Sequence, residues 1–419
     1  MREMTRNWWT SDELIFAVGV EDTFIAQTRA GERELDEYEL TQHYQQWHSD
    51  LGLMRESGAS MARWGIPWHK VNPAAGTWDW EWLDRVVDRF EEVGVEPMVD
   101  LMHYGTPLWL ENEFLHPDYP ARVAEYSASV AERYRGRLTC FTPLNEPMLN
   151  AIYCGLYAYW PPYAKGDTGL VSLVKALSKG ISLAQRSIVD VVGDEATFVH
   201  VEASFPFIAD APEAEEQAAF LKERAFIIED LVTGRVGADY PLRRFLETNG
   251  FTDEDFSWAQ THAVQPDVMG VNYYPAGQTE IVSVASPHHG GPGDFRPRHN
   301  AWTEGLENVL DSFADRYGRP VFLTETAWTG TVEERLAWLD ASVKTVSSMR
   351  ERGKDIVGYT WWSLFDMYEW NYRHDGGDVD DYQLAMGLWS LQRDPDGTLK
   401  RVKTPVASRF AEHASRARR

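Results

Sequence analysis

The chain has 419 residues, 43% of them hydrophobic, and its 40 Lys and Arg against 65 Asp and Glu give a formal net charge of −25 at pH 7. A field of that sign repels nucleic-acid phosphates and anionic membrane surfaces, and no apolar run approaches the roughly 20 residues needed to span a bilayer, so neither partner class is expected. Met1–Thr10 carries charges and tryptophans rather than the apolar stretch and cleavage site of a secretory signal, and Cys140 and Cys154 sit in no CxxC or Cys/His pattern. Both features fit a cytoplasmic protein whose thiols are small buried apolar groups.

The predicted elements alternate along the chain. A β-rich run at Leu14–Val20 comes first, followed by a second strand at Met61–Pro67 and an amphipathic helix over Trp80–Val93. A third strand, Glu96–His103, precedes a helix over Tyr119–Tyr134, and a fourth, Arg137–Thr142, precedes one over Leu170–Val191. Ala196–Ala203 leads into a helical pattern at Ala211–Leu231, and Val268–Tyr273 and Val321–Thr324 follow. A helix over Thr331–Arg352 and an eighth strand, Val357–Trp362, complete the series. Alternation of this kind predicts a parallel sheet with crossover helices, and eight strands predict closure into one (β/α)8 barrel with elaborated βα loops. No linker, repeat or low-complexity segment divides residues 1–419, so a single domain is expected, and no GxGxxG follows the first strand to suggest a dinucleotide.

Chemistry on such a barrel belongs at the C-terminal ends of the strands. Polar and aromatic residues collect there: Arg63 and Trp68, His103 and Tyr104, Asn145 and Glu146, Asn272 to Tyr274, Glu325, then Trp361, Trp362, Asp366, Glu369 and Trp370. Glu146 and Glu325 follow the fourth and seventh strands, which face each other across a barrel mouth. Two carboxyls roughly 5–5.5 Å apart can cleave a glycoside with retention, one as proton donor and one as nucleophile. Pro143 and Pro147 stiffen the loop that carries Glu146, and Asn145 can hold the hydroxyl next to the reacting carbon. Arg63 and the Tyr274 hydroxyl are positioned to lower the pKa of Glu325, although Arg63 could instead make a structural ion pair inside the barrel. Eighteen tryptophans supply flat platforms for sugar rings.

These residues resemble glycoside hydrolase family 1, the β-glucosidase family, over nearly the whole chain. The resemblance rests on Gly65-Ile66-Pro67-Trp68, on Leu101-Met102-His103-Tyr104 with Pro107, and on Thr142-Pro143-Leu144-Asn145-Glu146-Pro147. It continues through Gly270-Val271-Asn272-Tyr273-Tyr274, Gly358 to Asp366, Glu369-Trp370, Gly387-Leu388 and a basic Lys400–Pro405 tail. It implies that Glu146 is the acid/base and Glu325 the covalent nucleophile, with Asn145 and His103 on sugar hydroxyls. It further implies that Arg63, Asn272 and Tyr274 orient the nucleophile, that Trp362 stacks under the sugar, and that Glu369 and Trp370 grip the far hydroxyls. No metal or organic cofactor is expected.

Departures fall on the substrate wall. The family's Glu-Asn-Gly at the nucleophile is Glu325-Thr326-Ala327 here, the Trp after the strand-three histidine is Tyr104, and Thr and Asn at Glu146 are separated by one extra residue. The family's N-terminal sugar-binding Gln corresponds to a stretch, Glu21 to Gln27, in which Gln27 could serve after a one-residue shift, or Glu21 or Asp22 could replace it. The acidic run Asp378–Asp381 and the lack of a Ser/Lys/Tyr set argue against 6-phospho sugars. The expected reaction is hydrolysis of a small β-glycoside by an exo-acting enzyme, with transglycosylation at the same site or a catalytically silent carbohydrate-binding barrel as alternatives.

Overall fold

The structure, a computed structural model, describes residues 7–288 and 294–417; most of the N-terminal segment read above for a signal therefore lies outside the described residues. Eight parallel strands close into a barrel: β1 (Ile15–Gly19), β2 (Met61–Gly65), β3 (Glu96–Asp100), β4 (Cys140–Thr142), β5 (Thr197–Ala203), β6 (Val268–Asn272), β7 (Val321–Thr326) and β8 (Ile356–Trp361). Each pairs with its neighbour in sequence, and β8 closes on β1. Because helices cover the outside and side chains fill the inside, nearly every strand residue is buried, which is why the strands read as continuous apolar runs.

Inside the barrel, Ala17, Met61, Met98, Cys140, Val199, Val201, Val268, Phe322 and Val357 form a dry plug beneath the mouth, with Trp8 against its base. A larger core joins the outer strand faces to the helices. Helix Glu81–Val93 is representative: Leu83, Val86, Val87, Phe90 and Val93 recur at helical spacing and are all buried, each contributing roughly 1.5–3 kcal/mol. Helix Val332–Glu351 starts at a capping box in which Thr331 and Glu334 satisfy each other's backbone N–H groups. Cys140 and Cys154 are buried free thiols. Among the described residues no helix is long and apolar enough to cross a membrane.

Several elements differ from expectation. Helix His43–Glu56 lacks a clear apolar stripe because it buries polar groups: Asp50 pairs with His43 at 2.9 Å and with Arg401 at 2.8 Å. Helix Trp302–Tyr317 shows the apolar spacing Leu306, Val309, Leu310 and Phe313, a pattern the reading above passed over. The stretch Ala211–Leu231 is two helices, Glu215–Arg224 and Ile227–Val232, although no Gly or Pro stands at the break. The basic Lys400–Pro405 tail is a hairpin strand, Leu399–Lys403, followed by helix Pro405–Ala417.

Candidate active site

Glu325 reaches the barrel mouth through a bulge. Along β7, Leu323 pairs with Val271 but Glu325 pairs with Asn272, so Thr324 is the extra residue. A bulge re-aims the side chain that follows it. Arg63 Nη1 donates to Glu325 at 2.5 Å, and the Tyr274 hydroxyl donates to its other oxygen at 2.7 Å. Arg63 also makes the structural pair weighed above, with Asp100 at 2.6 Å, and donates to Asn145 Oδ1 at 2.9 Å. Arg63 does pull the Glu325 pKa down, but burial outweighs it and Glu146 adds to the rise, so the net shift is upward and not downward as expected.

Glu146 stands after β4, at the start of the short helix Pro147–Ala151, with φ 45° and ψ 56°. That left-handed conformation is costly for a residue with a Cβ, by about 1–3 kcal/mol. It is held by the Glu146 N–H on the Val201 carbonyl at 3.0 Å. Asn272 Nδ2 donates to one carboxyl oxygen at 2.8 Å, and the Tyr104 hydroxyl donates to the other. Burial raises the Glu146 pKa against these two donors. Both glutamates are thus pushed up by burial; a charged donor, Arg63, and the Tyr274 hydroxyl are in direct contact with Glu325, whereas the donors in direct contact with Glu146 are neutral. Beneath Glu146, the carboxyl of Glu202 accepts from Met148 N–H at 3.2 Å and Ala203 N–H at 2.9 Å, and burial, with Glu146 nearby, holds its pKa well above the usual range.

His103 is surrounded by acids. Its Nδ1 lies 2.7 Å from Asp22 and 3.6 Å from Asp100, and its Nε2 lies 3.6 Å from Glu21 and 2.9 Å from Asn145 Nδ2. Burial pulls the His103 pKa down, but Asp22, Asp100 and Glu21 outweigh it and carry it well above the usual value. Burial pushes Asp22 up to about 6 despite His103, whereas Arg63 and His103 overcome burial and lower Asp100. Ligand atoms of Asp22, Asp100 and His103 lie within 4.8 Å of one another, a spacing a metal could use. The Arg63 guanidinium already occupies Asp100 there, and its charge opposes a second cation.

Trp362 forms the floor. It is buried, its Nε1 donates to Glu21 at 2.8 Å, and the Arg63 guanidinium lies 4.7 Å from its ring centre. Close approach is built into β1 and β2: a Cβ on Gly19 would fall 2.0 Å from Trp362 Cε3, and one on Gly65 would fall 1.5 Å from Asp22 Oδ2.

The structure therefore brings together Glu146, Glu325, Arg63, His103, Asn145, Asn272, Tyr274 and Trp362. Trp370 joins the rim, edge-on to Tyr104 at 5.5 Å, and half-buried Glu369 accepts from Asn371 at 2.8 Å. Gln27 stays apart: it is exposed and its amide donates to the Glu32 carbonyl at 3.1 Å. Glu21 and Asp22, the alternatives to it, are the residues that meet Trp362 and His103. Asp100 and Glu202 were missed by sequence reasoning, although both had a usable signal as lone acids within apolar strand ends.

Comparison with known proteins bears on this site. A model described as glycosyl hydrolase family 1 matches residues 17–376. A bifunctional beta-D-glucosidase/beta-D-fucosidase of Bifidobacterium breve is 26% identical over 426 residues, covering 89% of this chain and 88% of that protein. An aryl-phospho-beta-D-glucosidase of Bacillus subtilis is 24% identical over 415 residues, covering 86% and 84%. The solved structure of a beta-glucosidase from Thermotoga maritima in complex with azafagomine superposes with a TM-score of 0.81 at 19% identity, over 97% of this chain and 99% of that one.

Proposed function

From the premise that the chain belongs to glycosyl hydrolase family 1 and is a glycoside hydrolase, we propose that it releases a terminal sugar from small β-glycosides by double displacement, with Glu325 as nucleophile and Glu146 as acid/base. Glu146 donates its proton to the glycosidic oxygen as the Glu325 carboxylate attacks the anomeric carbon. The glycosyl–Glu325 ester forms and the aglycone leaves. Glu146, now ionised, takes a proton from water as that water attacks the same carbon, and the sugar leaves with its configuration retained. Arg63 and Tyr274 hold Glu325 for attack, while Asn145 and His103 meet the sugar's hydroxyls and Trp362 its apolar face.

The observation that carries this reading is the single network linking both carboxyls. Arg63 bonds Glu325 and Asn145, and Asn272 bonds Asn145 at 3.3 Å and Glu146 at 2.8 Å, so each glutamate is fixed relative to the other. The test is nitrophenol release from gluco-, galacto-, fuco-, manno-, xylo- and glucuronide aryl β-glycosides by wild type and Glu325→Gln. Turnover of at least one substrate that is lost in the variant supports the proposal; no turnover by the wild type, or turnover unchanged in Glu325→Gln, contradicts it.

A further inference from the structure

Trp362 and Glu21 follow β8 and β1, whereas Glu146, which in the proposed reaction protonates the leaving group, follows β4. Strands β4 to β6 stand across the barrel from β8 and β1. A sugar seated over Trp362, with its anomeric carbon at the two glutamates, therefore directs its aglycone toward the loops after β4, β5 and β6. Those loops carry arginines that no step of the mechanism uses.

The loops after β5 and β6 meet in a small sheet in which Thr279–Val282 lies between Phe207–Ala209 and Arg298–His299. The sheet is tied to the site through Gln278, whose Oε1 accepts from Tyr274 N–H at 2.8 Å and from Ser204 Oγ at 2.7 Å. Glu280 stands two residues further on, about 7 Å along the chain. Helix Glu215–Arg224 packs on the sheet, with Ala218 and Leu221 against Phe207 and Val282. Arg224 follows Leu221 by three residues, which puts it on the same face of the helix and turns it toward the sheet. Arg296 crosses there: its Nη1 donates to Glu280 at 2.9 Å, and its guanidinium lies 5.9 Å from the Phe207 ring centre. A side-chain hydrogen bond joins it to Tyr157. Tyr157 ends the helical run Pro147–Ala151 and Ile152–Leu156 that begins at Glu146, so the arginines lie roughly 15 Å from the acid/base.

Arg224 stands apart from the other buried arginines. It is 7% exposed, yet among the described residues its guanidinium donates no hydrogen bond and makes no ion pair. Burial pulls its pKa below the usual arginine value; Tyr157, Asp167 and Glu280 oppose this only at a distance, and Arg296 adds to it. None of its nitrogens is sealed off from solvent, so the donor edge faces an opening and not protein. A buried cation without a partner is expensive to keep. Its planar fork of N–H donors matches a carboxylate, and Arg296 adds positive charge beside it.

Resting on the glycosidase reading above, we infer that Arg224, with Arg296 and Tyr157 beside it, forms an aglycone subsite for a carboxylate, and that the preferred substrates are β-glycosides whose aglycone ends in an acid group. The subsite makes a local exception to the acidic field of a chain of net charge −25. It lies on the leaving-group side of the mouth, so it reads the aglycone and not the sugar.

The experiment uses β-glycosides of the sugar that the nitrophenyl panel prefers. It compares kcat/KM for 4-hydroxybenzoate and 4-hydroxycinnamate as aglycones with that for their methyl esters, for wild type and Arg224→Gln. A charge-assisted pair with an otherwise unpartnered guanidinium predicts that wild type favours acid over ester by about tenfold or more, most strongly for the longer cinnamate. The acid-to-ester ratio falls by about tenfold in Arg224→Gln. Sodium sulfate at constant ionic strength slows the acid alone; sulfate that speeds the ester instead assigns Arg224 to a free anion and overturns the inference. Equal kcat/KM for acids and esters in the wild type also overturns it and leaves the glycosidase reading standing. A wild type inert on the nitrophenyl panel overturns both. The wild-type comparison decides the matter even if Arg224→Gln fails to fold, which its thermal transition reports.

Discussion

Replacing Tyr104 by Phe removes one hydroxyl and tests how the acid/base is tuned. That hydroxyl donates to Glu146 Oε2 and accepts from Asn145 Nδ2 at 3.0 Å. A donor to the ionised form lowers a carboxyl pKa, so its loss raises the pKa of Glu146. The bond to a charged group is worth roughly 1.5–3 kcal/mol, which corresponds to about 1–2 pKa units. The phenyl ring leaves the site no wetter, so burial keeps pushing in the same direction. In the proposed mechanism Glu146 must be protonated to donate, so the basic limb of kcat/KM against pH is expected to move up by about 1–2 units in Tyr104→Phe, while the acid limb assigned to Glu325 moves less. The assay is initial rates on an aryl glycoside across pH, with the thermal transition measured alongside to establish folding. A basic limb that stays put or moves down in a folded variant refutes the assignment of Tyr104 as the donor that holds the proton affinity of Glu146 down.

Glu146→Gln lowers kcat/KM on poor leaving groups by about 10²- to 10⁴-fold, and added azide restores turnover of activated aryl substrates with a β-glycosyl azide as product; absence of that azide argues against a glycosyl–enzyme. Gly19→Ala drives a Cβ to within 2.0 Å of the Trp362 ring and destabilises by about 1–3 kcal/mol, seen as a lower thermal midpoint together with weaker substrate binding. Buried Glu113 has its pKa pushed by burial to about 8, against the pull of Arg373. Its folded pKa exceeds its unfolded one, so it binds the proton more tightly when folded and penalises folding increasingly as pH rises from near 4.5 to about 8. At pH 7 the penalty is roughly 3 kcal/mol, so Glu113→Gln raises the melting temperature at pH 8 more than at pH 5; equal shifts at both contradict the account.

The barrel was legible because parallel strands buried on both faces leave continuous apolar runs, and the mouth was legible because Glu146, Glu325 and His103 interrupt or end those runs. Helix His43–Glu56 was not, since it buries a His43–Asp50 hydrogen bond that no hydrophobic period reports. Periodicity also says nothing of bulges. The register shift at Thr324 that aims Glu325, and the left-handed backbone of Glu146, exist only once strands pair. Gln27 looked eligible only through the family resemblance and a one-residue shift, but two residues of strand at Phe24–Ile25 come before it and its amide donates to the Glu32 carbonyl instead.

The central claim is the covalent role of Glu325. Incubation with an activated 2-deoxy-2-fluoro glycoside of the sugar that the panel identifies slows breakdown of the glycosyl–enzyme, and peptide mass spectrometry then locates the added mass. The account predicts one sugar equivalent on the peptide containing Glu325 and none in Glu325→Gln. A label on any other residue, or full turnover by Glu325→Gln, would contradict it.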